Sequence, residues 1–487
     1  MNPYSNIEKP DVQALVARGY GNLPDAAYVL AEVTEPARAR AWLQGLIGRT
    51  TFADSRPDTV ALNLALSCHG LTALQVPADI VESFADEFRA GMTTPHKRRI
   101  LGDEGINAPE HWDWGGPDTP PVDILFLLYA ASPEVLNTEC DRLRDQFEAA
   151  GLGEVITLET KESIEFKEHF GFRDSISQPY IAEFDSLQRD LANAVPLGEI
   201  LLGYPNGYER FTRRPLVDPG RDTADHLVMD VEESGLKDLG RNGTYLVFRQ
   251  LAQDVKGFWQ FMHEQGGYCK GNDKPGEVEA DAIHLASKMV GRWPSGAPLV
   301  LAPKEDQPEM EDKNSFAYHR TDQHGLKCPL GAHIRRTHPR DSLDPDPGTQ
   351  ASVDFSNRHR LLRRGRTYGK PFHPSMLPQD MLRHLDQGDN DEPRGLHFIC
   401  LNANIGRQFE FVQNTWAGNP TFNGLYQDPD PLIGARQAFG GVQDHFTLQA
   451  EPVRCQVQGL PQFVRVRGGG YFFLPSRRAM SFLFQSH

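Results

Sequence analysis

Short apolar runs along the chain alternate with stretches where apolar residues return every three or four positions. These are the patterns of strands and amphipathic helices. In the first 165 residues, Ala27–Val33 (AYVLAEV), Thr59–Leu66 (TVALNLAL), Ile124–Ala131 and Gly153–Thr160 predict strands. Helical patterns separate them. Over Glu35–Thr50, Ala39, Trp42, Leu43 and Ile47 fall near one face. A second helix is predicted over Ala78–Met92. Over Pro133–Ala150, Leu136, Cys140, Leu143 and Phe147 recur by four, three and four. Pro133 suits a first helical turn and Gly151 a C-terminal cap. The order β-α-β, a further helix, then β-α-β predicts a ferredoxin-like α+β unit.

From Ala182 to Asn242 the rhythm breaks into Pro, Gly and charge, which predicts a long connection or insertion. It then returns: strand Thr244–Leu251, helix Asp254–Glu264, helix Ala282–Val290, strand Leu396–Ala403 and helix Ile405–Trp416. Val464–Val466 and Tyr471–Leu474 read as strand-like, followed by a last helix from Pro475. The halves look alike in architecture without a residue-level repeat. The predicted organisation is an N-terminal domain over 1–182, a connection over 183–242 and a C-terminal domain over 243–487. Pro294–Glu392 is a long loop-rich region, and such loops are usually functional. Gly468-Gly469-Gly470 lies inside a strand pattern, which favours a bulge or bend over a phosphate cradle.

Composition narrows the class. Lys plus Arg total 50 against 66 Asp plus Glu, a net charge of −16, which argues against a nucleic-acid binder. The longest apolar run, Ile124–Ala131, is far short of the ~20 residues of a membrane helix. Met1-Asn2-Pro3-Tyr4-Ser5 offers neither the basic nor the apolar region of a secretory signal, so a cytoplasmic protein is expected. The six cysteines (Cys68, Cys140, Cys269, Cys328, Cys400, Cys455) form no C-x-x-C pair, and six reduced thiols are expected.

Three segments carry candidate chemistry. His333 lies in CPLGAHIRR, beside small residues and ahead of Arg335, Arg336 and Arg340. It reads either as an imidazole ligand to a metal in an anionic macrocycle, with arginines for the acid groups, or as part of a basic surface loop. Asp174, in FGFRDSISQP, reads either as a partly buried acid/base or as an Asp that caps a turn. Arg363 belongs to an arginine-rich run, Arg358 to Arg366, which is either a solvated face or turns one member toward a charged ligand.

Together these segments resemble the dye-decolourising peroxidase family. The matching pieces are GFRDSISQP (171–179), GRWPSGAPLVLAP (291–303), CPLGAHIRRTHPRD (328–341), LLRRGRTYG (361–369), GLHFICLNANIGRQFEFVQ (395–413) and GGGYFFLPS (468–476), in the family's order and over most of the chain. Length and the long middle region resemble the family's larger subgroups. The resemblance implies two ferredoxin-like domains, arranged like a dimeric α+β barrel, with one haem b between them. It implies His333 as axial iron ligand, Asp174 as distal acid/base and Arg363 as distal arginine. It also implies a haem peroxidase that reduces hydrogen peroxide through a ferryl intermediate and oxidises dyes, phenols or other bulky donors, with activity favouring acidic pH. Arg340 and Arg335 are expected at haem propionates, Leu396 and Phe398 at the apolar distal wall, and Glu410 as acceptor of the His333 N–H. Surface Tyr or Trp residues could pass electrons from bulky donors.

Two departures stand out. Ser175 occupies the place of a family Gly, which tolerates backbone angles that Ser resists. His338 stands where Asn is usual. Ser175 leaves open a haem-binding or haem-carrying protein with little turnover. A metallohydrolase built from scattered His and Asp is a third reading. Oligomeric state and physiological reductant are not legible in the sequence.

Overall fold

The computed structural model describes residues 7–161, 164–184, 193–267, 277–386, 392–438 and 441–485. Met1–Ser5 and Cys269, considered above, lie outside these. Nine strands carry the fold: β1 (Asp25–Val33), β2 (Val60–Ser67), β3 (Ile124–Ala130), β4 (Leu152–Lys161), β5 (Thr244–Gln253), β6 (Leu362–Arg363), β7 (Arg366–Tyr368), β8 (Gly395–Asn402) and β9 (Val464–Leu474). They form one sheet in the order β7-β4-β1-β3-β2-β9-β5-β8-β6. A further β7–β8 pairing joins its ends. The sheet thus closes on itself, which removes its exposed edges.

The closed sheet repeats one arrangement. The first half reads β4-β1-β3-β2 and the second β9-β5-β8-β7, every pair antiparallel. The seams are short: Phe473 opposite Leu66 between β9 and β2, and Thr367 opposite Lys161 between β7 and β4. This is the ferredoxin-like α+β fold expected from the hydrophobic pattern. β6 and β7 lie within the stretch read above as loop-rich. With two and three residues they are too short to show an alternating pattern.

Both sheet faces are covered, which explains why β3 is an unbroken apolar run with every residue buried. Leu128, Phe126 and Ile124 meet Leu43, Leu136 and Phe147 from the helices Pro36–Leu46 (α1), Pro133–Arg144 (α2) and Phe147–Ala150 (α3). Leu125, Leu127 and Tyr129 face the opposite way, among Tyr28, Phe248 and Trp114. In the second half, Val255–Gln265 (α4) and Glu277–Val290 (α5) bury Phe258, Trp259, Met262 and Met289.

Several elements differ from the pattern-based expectation. The helix predicted over Ala78–Met92 is two short helices, Ala78–Glu82 and Asp86–Ala90. Between them the Ala85 N–H donates to the Tyr245 hydroxyl oxygen at 3.1 Å instead of to a helical carbonyl. The helix over Ile405–Trp416 is wide, with i→i−5 bonds such as Glu410 N–H to Ile405 O at 2.9 Å. Gln408 anchors it by donating to Arg360 O at 2.8 Å and Glu199 O at 2.9 Å. The two strand-like pieces near the C-terminus are one strand, β9, with a bulge between Val466 and Gly468. Glycine is needed at that bulge, because a Cβ on Gly468 would lie 2.4 Å from the Trp114 indole nitrogen.

The expectation of six reduced thiols is corrected. Cys68, Cys140, Cys328 and Cys400 are free, but Cys455 is disulfide-bonded. Among the described residues, no helix is long and apolar enough to cross a membrane.

Candidate active site

A cavity of about 320 Å³ opens beside β5, β8 and β9. It brings together seven of the residues singled out above: Asp174, Ser175, His333, Arg340, Arg363, Leu396 and Phe398. Alternation along β8 explains the last two. Leu396 and Phe398 point into the cavity, while His397 between them stacks on Tyr368 on the opposite face.

Asp174 sits at the end of a tight loop that leaves β4. The loop doubles back, with an Asp174 N–H to Phe166 O bond of 2.8 Å, and Phe170 and Phe172 dock on Phe258 and Trp259 of α4. Gly171 takes φ +90°, and a Cβ there would meet the Met381 methyl at 2.6 Å, so the turn needs glycine. Ser175 takes φ +65°, the left-handed region that glycine enters freely and serine does not. Its N–H donates to Asp174 Oδ1 at 2.6 Å. Arg363, on β6, donates from Nη1 to the same oxygen at 2.9 Å. Gln178 fixes the Arg363 backbone, accepting its N–H at 3.1 Å. Asp174 and Arg363 keep 36% and 33% of their side-chain surface, turned to the cavity. Burial pushes the Asp174 pKa up. The Arg363 charge and the Ser175 N–H outweigh it, so the carboxyl ends below its ordinary range.

His333 opens a five-residue helix, His333–Thr337 (α6). Its Nδ1 lies 2.8 Å from Asp430 Oδ2. The carboxylate can only accept, so Nδ1 carries the proton and Nε2 is left for a ligand. Asp430 is fully buried, and its Oδ1 accepts the N–H groups of Leu432 and Ile433 at 2.9 and 3.1 Å. Burial alone would lower the His333 pKa; the Asp430 charge and hydrogen bond reverse this and raise it.

Two expectations are corrected here. Glu410 does not accept from His333. It is bound to Lys97 Nζ at 2.7 Å and the Tyr471 hydroxyl at 2.9 Å, and Asp430 holds the place beside the imidazole. Arg335 does not face the cavity. It donates to Cys328 O at 2.7 Å and to Asp322, and stacks over Tyr318. Arg336 is likewise turned away, donating to Gly331 O and Trp416 O. These two guanidiniums pin α6 to its surroundings from behind.

The cationic side of the cavity is formed by Arg340 together with Arg292 and Arg360, which the sequence reading missed. Bonds to neutral groups help to anchor all three. Arg292 donates to Gly296 O at 2.8 Å, Arg340 to Asn314 O at 2.6 Å, and Arg360 to Asn193 Oδ1 at 2.6 Å and to the His338 ring. Burial and the neighbouring Arg340 lower Arg292 to about 10. His338 is held neutral by burial and by Arg360, Arg340 and Arg292. A cationic cluster of this kind suits an acid group brought by a ligand.

Relatives are found both by sequence and by structure. No family model matches the chain. A dye-decolourising peroxidase of Mycena epipterygia is 31% identical over 463 residues, covering 88% of this chain and 76% of the relative. A multifunctional dye peroxidase of an Amycolatopsis species is 28% identical over 490 residues, covering 91% and 89%. The solved structure of an ancestral D-type dye-decolourising peroxidase superposes with a TM-score of 0.77 at 26% identity, covering 99% of this chain and 100% of that one. On this similarity the chain belongs to the dye-decolourising peroxidase family, oxidoreductases that act on peroxide.

Proposed function

We propose that this protein reduces hydrogen peroxide and oxidises dyes, phenols or other bulky aromatic donors, using one haem b bound in the cavity described above. Members of the family are haem enzymes. The cavity suits the group: an imidazole with Nε2 uncommitted on one side, Leu396 and Phe398 as apolar wall, and Arg292, Arg340 and Arg360 for the acid groups of the macrocycle. Bound there, haem supplies the iron that takes up the two oxidising equivalents of peroxide and passes them to the donor.

The observation that carries the reading is the Arg363–Asp174 contact at 2.9 Å, facing the same cavity as His333. Asp174 is ionised at mildly acidic pH, so it can accept a proton from one peroxide oxygen and return it to the other as general acid/base. The Arg363 guanidinium offsets the negative charge that develops as the O–O bond breaks. On the opposite side, Asp430 fixes the His333 tautomer and makes the imidazole a stronger donor. Ser175 leaves the Arg363–Asp174 contact intact, which supports turnover over haem carriage.

The test is stopped-flow absorption of the haem-loaded protein mixed with one equivalent of peroxide. Wild type should change its Soret band within the first second. Asp174→Asn should react about 100-fold or more slowly while its resting spectrum shows haem bound. An Asp174→Asn protein as fast as wild type would move the acid/base role elsewhere, with Arg363 the first residue to examine.

A further inference from the structure

One cavity-lining carboxylate takes no part in the chemistry above. Glu168 lies six residues before Asp174, at the start of the loop that presents it. Its carboxylate sits inside that loop. Oε2 accepts the Phe170 N–H at 2.9 Å and Oε1 accepts the Phe172 N–H at 3.0 Å. From the sheet, Gln253 of β5 donates to Oε2 at 2.7 Å. The Glu168 backbone closes the same loop, its N–H donating to Phe172 O at 3.0 Å and its carbonyl accepting Gly171 N–H at 2.8 Å. A single side chain therefore collects two alternate amides of the loop, those of residues 170 and 172, and ties them to a strand of the cavity wall. Phe170 and Phe172, whose amides it binds, are the two rings that dock the loop on α4.

We infer that Glu168 is a positioning residue: it templates the 168–174 loop so that Asp174 meets Arg363, and its charge adjusts how tightly Asp174 holds a proton. The inference rests on the acid/base reading of Asp174 given above. The two carboxylates stand at the two ends of one loop and line the same cavity. Burial pushes Glu168 up to about 7, and Asp174 pushes it the same way. The groups that bind it, the amides of residues 170 and 172 and the Gln253 side chain, are neutral, so Asp174 is the carboxylate with which it exchanges repulsion. The two carboxyls respond in opposite directions, Glu168 raised and Asp174 lowered, as expected when one is shielded by a cation and the other is not.

The experiment uses the haem-loaded protein and two variants, Glu168→Gln and Glu168→Ala, with two readouts. The first is backbone amide exchange of peptides spanning 168–174, followed by mass spectrometry. Glu168→Ala should exchange about ten-fold faster there than wild type, since two amides lose their acceptor, while Glu168→Gln, which keeps an acceptor, should stay closer to wild type. The second is the rate of reaction with peroxide against pH. Wild type should show an inflection near 7, and Glu168→Gln should lack it while staying within about two-fold of wild type at acidic pH. Glu168→Ala should lose about ten-fold or more in rate at every pH through misplacement of Asp174. In an Asp174→Asn background, Glu168→Gln should change nothing further.

Unchanged exchange in Glu168→Ala would overturn the templating role. An inflection that persists in Glu168→Gln would overturn the coupling. If Asp174→Asn alone reacts like wild type, the acid/base reading falls. Amide exchange then still decides whether Glu168 holds the loop. Should Glu168→Ala fail to fold or to keep haem, Glu168→Gln carries both readouts.

Discussion

The two sides of the cavity are built on different plans. On the His333 side the charged partners are sealed. Asp430 has no accessible side-chain surface, and Arg335 and Arg336 are buried behind α6 with bonds to carbonyls and Asp322. On the Asp174 side a third of each charged side chain faces the cavity, and the backbone is held at a left-handed serine. Sealed charges fix one geometry, because moving either would leave an unpaired charge in a low dielectric. Cavity-facing charges leave room for a small substrate. On the function proposed above, one side must hold a ligand still while the other admits peroxide, and each plan suits its task.

Substitutions on the His333 side should have the largest effects on haem retention. His333→Ala removes the imidazole, and the purified protein should lose most of its Soret absorbance relative to the 280 nm band. Retention of a wild-type ratio would mean that another group ligates the iron. Asp430→Asn comes next. It leaves the ring without its anionic partner and should weaken haem retention or turnover by about 10–100-fold, and shift the iron reduction potential upward. A potential equal to that of wild type would show that the Asp430 charge does not reach the iron.

On the Asp174 side the stability of the fold should respond more gently, through pH. Glu168, raised to about 7 from an ordinary 4.5, favours the fold below pH 4.5, and that contribution is lost as the pH rises through 7. Asp174, lowered below its ordinary 3.8, favours the fold above pH 3.8, and that contribution is lost as the pH falls through its folded value. This loop is therefore best held at mildly acidic pH. The melting temperature should decline from about pH 5 to about pH 8, and Glu168→Gln should flatten that decline. An equally steep decline in the variant would place its origin outside the loop.

The smallest effect is expected at Ser175. Ser175→Gly relieves a left-handed serine and should stabilise the protein by about 1 kcal/mol, a rise of about 1–2 °C in melting temperature. The same variant reports on the hydroxyl. A peroxide rate and pH profile matching wild type would leave Ser175 without a role beside Asp174.

Much of this site is visible as local sequence. Asp174, Ser175, Arg363 and His333 lie in short segments that the family resemblance singles out. The left-handed backbone at Ser175 follows from a glycine position filled by serine. What lay outside such segments was missed or misplaced. Glu168 stands only six residues from Asp174, yet nothing in KEHFGFRD says that its carboxylate turns back onto the amides of 170 and 172. Arg335 and Arg340 look alike as letters. One is turned behind α6 and the other toward the cavity, because helix geometry and the left-handed φ of Arg340 aim them apart.

The sequence by itself determined most of the strand and helix pattern of the two ferredoxin-like halves, β6 and β7 excepted, and the residue types available for chemistry, since alternation and motif composition are properties of neighbours along the chain. Only the tertiary structure decided that β7 closes the sheet against β4, that Asp430 and not Glu410 meets His333 across 97 positions, and that Arg292 and Arg360 join Arg340. A strand pattern says which face a side chain takes. Which partner waits on that face is set by how distant segments pack, and no local pattern records it.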